Sequence, residues 1–99
     1  MKDIKDPYSE LAFAVCIEAV DSYRRARRFI DNDHVKHYKN PDAGKQVLRE
    51  HLNELRDTEI FFKSPVFELY SGLDGNKVFE KLKAECDGGY YGSRQFRFL

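Results

Sequence analysis

The chain has no tryptophan, only two cysteines and, across 99 residues, no net charge, because 17 lysines and arginines balance 17 aspartates and glutamates. Each shortage excludes something. A balanced chain sets up no whole-molecule field that would draw it onto DNA, RNA or an anionic membrane, so such a partner would have to be met by a local patch. Cys16 and Cys86 form no CxxC pair and no disulfide framework, and both are expected to be reduced packing residues. Long apolar runs are missing too. The longest, Leu11 to Ile17, falls far short of the roughly 20 residues that span a bilayer, and the charged start Met1-Lys2-Asp3 does not read as a secretion signal. A cytoplasmic protein without membrane contact is the expectation.

Catalytic signatures are equally scarce. No GxSxG, phosphate-binding loop, HExxH or dinucleotide fingerprint occurs, so no catalytic residue, cofactor or metal ligand is assigned and the chain is not expected to be an enzyme. His34 and His37 have HxxH spacing, but two imidazoles fall short of the three or four protein ligands that zinc takes. Glu50, Glu54 and Asp57 recur at four and three, which gathers them on one side of a helix. With Arg49, Asn53 and Arg56 among them, that side reads as solvated. His51, four residues from both Val47 and Leu55, reads as a hydrogen-bonded, half-buried side chain.

What the chain does have is bulk: eight phenylalanines and six tyrosines in a sequence 41% hydrophobic and 34% charged. A chain of this length buries only about two thirds of its unfolded surface, so one small core built from aromatics is expected. The punctuation divides the chain into helices. Asp6-Pro7 starts a first helix running to about Ile30, with Leu11, Val15, Ala19, Tyr23, Ala26 and Ile30 as its apolar stripe and Phe13, Ile17 and Val20 widening it. So apolar a segment should be the central helix, or should bury its spare face on a second copy.

Asn40-Pro41 starts a second helix reaching about Phe62, with Val47, Leu48, Leu52, Leu55 and Phe62 inward; Ile60 lies off that face and is expected to be covered by the next segment. Ser64-Pro65 caps a short third helix closed by Gly72, and Asp74-Gly75 opens a fourth whose Val78, Phe79, Leu82 and Cys86 share a face before Gly88-Gly89. The aromatic stretch Ile60 to Gly75 should be a packed corner. The outcome is an all-α, compact bundle of about four helices, two long and two short, as a single domain over 1–99, with 90–99 an extended segment of strand-like alternation.

Three segments also carry a resemblance. Glu18-Ala-Val-Asp-Ser-Tyr-Arg-Arg-Ala26 fits an EAV-x-x-YR-x-A pattern, Phe61 to Phe67 fits FF-x-S-x-x-F, and Asp74-Gly75 supplies a DG turn. Together they resemble small helical proteins encoded by phages and prophages of Gram-positive bacteria, a group with no accepted molecular function. The resemblance implies an origin in a phage or prophage and a helical fold, and no activity.

Candidate surfaces follow from the residues themselves. Arg24, Arg25 and Arg28 form a positive cluster suited to an acidic protein or a phosphate, with Arg27 at the edge of the apolar stripe making an internal contact. Asp21 and Asp31 lie at pairing distance along the same helix. Tyr90, Tyr91, Arg94, Phe96, Arg97 and Phe98 mix aromatics with arginine as interface anchors do, or else form a strap over the bundle. A protein partner of host or phage, or a second copy, is therefore the leading expectation. The alternative is a nucleic-acid-binding regulator that uses the arginines or a helix-turn-helix-like pair presenting Asn76, Lys77, Lys81 and Lys83, opposed by Glu68, Asp74, Glu80 and Glu85.

Overall fold

The computed structural model describes residues 7–32 and 39–92. They form an all-α bundle of four helices: α1 (Pro7–Asp31), α2 (Pro41–Lys63), α3 (Pro65–Ser71) and α4 (Gly75–Asp87). The expected strand-like segment beyond Gly92 and the His34/His37 pair lie outside the described residues.

Local chemistry sets the boundaries. Asn40 is extended and its Oδ1 accepts the Asp42 N–H at 2.9 Å, while Pro41 occupies the first helical position, where a missing N–H costs nothing. Asp74 does the same for α4, accepting the N–H groups of Asn76 and Lys77. Gly72 ends α3 in the left-handed region at φ 75°, its N–H on the Glu68 carbonyl. Ser64 stands at the boundary of α2 and α3 as expected, but its side chain makes no cap bond to α3. Its hydroxyl and its N–H both donate to the Phe61 carbonyl, at 2.7 and 3.1 Å, so it closes α2 instead. Pro65 holds Ser64 out of helical geometry, and α3 then starts on a residue that has no N–H to satisfy.

The antiparallel course of α1 and α2 follows from two contacts. Phe29, late in α1, stacks on His51 at 4.0 Å, whereas Val15, early in α1, faces Phe61 near the end of α2. Each of the four helices touches the other three, so α1 is not set apart as the central helix by its neighbours. The buried stripe of α1 is Cys16, Ala19, Val20, Tyr23 and Ala26, rotated from the expected one. Leu11 is 64% and Val15 43% exposed. Cys16 and Val20 follow Val15 and Ala19 by one residue, about 100° around the helix, and it is toward them that α3 and α4 pack.

Against that stripe lies an aromatic cluster. Phe62 meets Phe67 at 4.9 Å and Phe79 at 5.8 Å, Phe61 meets Phe67 edge-on at 5.7 Å, and Tyr23 meets Phe79 edge-on at 5.5 Å, the offset and T-shaped arrangements that ring quadrupoles favour. Leu82 and Cys86 complete the core from α4. Only Phe67 of α3 is buried; Val66, Leu69 and Tyr70 stay exposed. Ile60, expected beneath the following segment, is 61% exposed. Helix α3 turns toward Phe61 and Phe62, away from the side of α2 that carries Ile60.

Gly75 shows how tightly the corner closes. A Cβ there would lie 1.8 Å from the Phe62 carbonyl oxygen, so α4 begins in direct contact with the last turn of α2. Gly75→Ala should cost about 2–3 kcal/mol by forcing backbone apart, read as a lowered urea midpoint. Gly88→Ala, whose added carbon meets ordinary 3.6 Å contacts, should change stability by no more than about 0.5 kcal/mol. Equal effects would mean that the corner is looser than described.

The two thiols give a second test. Both are free and buried. Burial pushes Cys16 up, and pushes Cys86 up to about 11 against the pull of Arg27 and Arg24. A folded-state value above the unfolded one stabilises the fold fully below the unfolded pKa, roughly 8.5, and that stability is lost as pH rises through the folded value. Unfolding free energy should therefore fall between about pH 9 and 11, with a shallower slope in Cys86→Ala. Alkylation should need denaturant; fast labelling of the native protein would contradict the burial.

Candidate functional site

The arginine cluster on α1 divides between the inside and the outside of the protein. Arg24, expected on the surface, is 6% exposed. Its Nη2 lies 3.4 Å from Glu85 Oε1 on α4. Gly92, at φ 88°, lies so close to the Arg24 guanidinium that a Cβ would meet it at 2.6–2.7 Å. Arg27 makes the internal contact expected of it: it donates to the Tyr23 hydroxyl at 2.9 Å and to Asp31, and pairs with Asp87 at 2.6 Å. Burial pulls its pKa down, but the bonds to Asp87, Tyr23 and Asp31 outweigh that and raise it. The Tyr91 hydroxyl donates to Asp31 Oδ2 at 2.7 Å, a bond that raises the Tyr91 pKa. The Tyr90 N–H donates to the Glu85 carbonyl. Arg24, Arg27 and Tyr91 thus latch the second half of α1 to α4 and to the residues that follow it.

Two arginines remain outward. Arg25 reaches Glu18 at 3.2 Å and the Ser22 hydroxyl at 3.3 Å. Arg28 is exposed beside a small hollow of about 110 Å³ that it shares with Asp21, Arg24, Arg25 and Tyr91. Tyr90 is half exposed, and Arg94, Phe96, Arg97 and Phe98 lie outside the described residues. Asn76, Lys77, Lys81 and Lys83 are exposed on α4, but that helix carries three carboxylates, Glu80, Glu85 and Asp87, against its three lysines. His51 is structural: Nδ1 donates to the Val47 carbonyl at 2.8 Å, and the ring lies 4° from the plane of Phe29.

A wider, open concavity lies elsewhere, between α1 and α2. It encloses about 590 Å³. Val15 and Ala19 from α1 and Phe61 from α2 make its floor, and Glu50, Glu54 and Asp57 run along its α2 edge. Glu18 and Ser22 stand on the α1 edge. The neutral polar groups inside are already bonded: Thr58 donates to the carbonyls of Glu54 and Leu55, and Ser22 to Glu18. Among the described residues no ion pair engages Glu50, Glu54 or Asp57. The groove therefore offers an apolar floor and three uncompensated carboxylates.

Sequence spacing gathers those three carboxylates but gives no sign that they border a groove. The missing information is the register of α1 against α2, which sets Ala19 and Ser22 across from Asp57 and Glu54 and leaves Val15 beside Phe61 at the far end of the groove. The exposure of Leu11, one turn before Val15 on the same side, extends the apolar floor toward the start of α1. Among the described residues no three histidine, cysteine, aspartate or glutamate side chains are grouped to hold a metal, and no helix is long and apolar enough to cross a membrane.

The split among the arginines is testable. Arg24→Ala strands Glu85 and removes the support of Gly92, and should cost roughly 2 kcal/mol; Arg25→Ala, at an exposed pair, should cost less than about 0.5 kcal/mol. Thermal melts of the two variants decide it, and the opposite order would put Arg24 back on the surface. No family model matches the chain, and neither a curated protein nor a solved structure is similar to it.

Proposed function

We propose that this chain is a phage-encoded accessory protein that performs no catalysis and acts in the cytosol of a Gram-positive host by docking onto another protein. One observation carries the docking: the α1–α2 groove keeps Val15 accessible in a surface that Glu50, Glu54 and Asp57 also line, and among the described residues no ion pair engages those carboxylates. Monomeric proteins rarely leave a rimmed apolar patch idle. The origin and compartment rest on the EAV-x-x-YR-x-A, FF-x-S-x-x-F and DG resemblance and on the sequence composition.

Protein is favoured over nucleic acid by where the positive charge goes. Arg24 and Arg27 are spent inside the fold, Arg25 is paired, and the lysines of α4 are interleaved with carboxylates. A nucleic-acid surface needs a local excess of cations, and the acidic edge of the groove repels phosphate.

Photo-crosslinking tests the proposal in the host. With a photoreactive amino acid replacing Val15, irradiation should give one discrete protein adduct, and with the same group replacing Lys83 it should give none. An adduct at twice the monomer mass identifies a second copy as the protein bound. No adduct from Val15, or equal adducts from both sites, would remove the groove from the protein's function.

A further inference from the structure

We infer that the groove takes a cationic amphipathic segment of its partner, a helix with apolar side chains on one face flanked by lysine or arginine. This rests on the docking reading and adds the chemistry of what docks.

The spacing comes first. Glu50, Glu54 and Asp57 stand at i, i+4 and i+7 on α2, a row about 10 Å long at 1.5 Å per residue. A helix laid along the groove repeats its own side chains at the same intervals, so cations at i, i+4 and i+7 would meet all three carboxylates while apolar residues of its next turns drop onto Ala19, Phe61 and Val15 beyond Asp57. Helix-in-groove recognition of this kind reads an apolar stripe by its three- and four-residue spacing.

Charge decides the sign of the partner. Like charges one helical turn apart destabilise a helix, and α2 retains such a pair in Glu50 and Glu54, neither of which forms an ion pair with the neighbouring Arg49 or Arg56. On the α1 edge Arg25 is paired with Glu18 and bonded to Ser22, while Arg24 and Arg27 turn to α4, where they meet Glu85 and Asp87. Arg56 donates to Asn53 Oδ1 at 3.2 Å and forms no ion pair with the three carboxylates. An acidic or phosphate-bearing partner would add to the repulsion, and a neutral one would leave it in place. A cationic segment removes it, and such complementarity speeds encounter and suppresses wrong partners.

Fluorescence anisotropy with the intact protein tests this. The probes are labelled peptides of about 18 residues, some five helical turns, with leucine at i, i+3, i+4 and i+7 and either lysine, glutamine or glutamate elsewhere. The lysine peptide should bind and the glutamate peptide should not. The triple variant Glu50→Gln, Glu54→Gln, Asp57→Asn should weaken lysine-peptide binding on the order of tenfold. A matched variant at exposed carboxylates outside the groove, Asp42→Asn, Glu68→Gln, Glu80→Gln, should leave it within about twofold. Circular dichroism confirms that both variants fold.

Failure to bind the lysine peptide, or equal binding by the triple variant, overturns the inference. If the glutamine peptide binds as well as the lysine peptide and Val15→Glu abolishes both, docking survives and the cationic partner is lost. If Val15→Glu changes neither, the groove is not a docking site at all. Sedimentation that finds a dimer dissociated by Val15→Glu would assign the groove to a second copy and likewise overturn the inference.

Discussion

The contact between Gly75 and the Phe62 carbonyl governs the rest of the molecule. It allows no side chain between the last turn of α2 and the first residue of α4, so the direction of α4 is set by the end of α2. With α3 reduced to seven residues between them, Phe67 has one place to go, against Phe61 and Phe62, and Phe79 follows onto Tyr23. The aromatic cluster then falls on the Cys16, Val20 and Tyr23 side of α1. A helix apolar on nearly every side can give only part of its circumference to so small a core. What is left over, Leu11 and Val15, stays exposed, with Val15 at the Phe61 end of the groove that the acidic residues of α2 line.

The latch at the other end of α1 has the same logic. Arg24 and Arg27 look like surface charges when counted along the chain, but each is one residue after a member of the buried stripe, Tyr23 or Ala26. Their aliphatic stems lie along the core and their guanidinium groups reach the carboxylates of α4. That placement draws positive charge out of the solvent-facing surface while α2 keeps its negative row. A chain that is neutral overall thereby acquires an uneven exterior.

Much of the fold was legible because it is written in local chemistry. Asn40-Pro41, Ser64-Pro65, Gly72, Asp74-Gly75 and Gly88 each act within one helical turn, and all five boundaries lie where those residues stand. The corner at Ile60 to Gly75 announced itself through its aromatics. Choices between neighbouring faces were not legible. Val15 and Val20 serve equally well as stripe residues until α3 and α4 choose between them. Ile60 and Arg24 changed places with expectation for the same reason, one left outside and the other taken in. The groove depends on how two separate helices pair, and no spacing rule within one helix reports that. The EAV-x-x-YR-x-A and FF-x-S-x-x-F residues are largely packing or latch positions, and Glu50, Glu54 and Asp57 are not among them.

The central claim is that α1 buries its Cys16, Val20 and Tyr23 side and leaves the Leu11 and Val15 side open to a partner. Solvent paramagnetic relaxation of the valine methyl groups in the free protein measures this directly, with no substitution. The account predicts strong enhancement at Val15 and near-complete protection at Val20. Equal protection of the two would mean that another part of the chain or a second copy already fills the groove, and it would contradict the account.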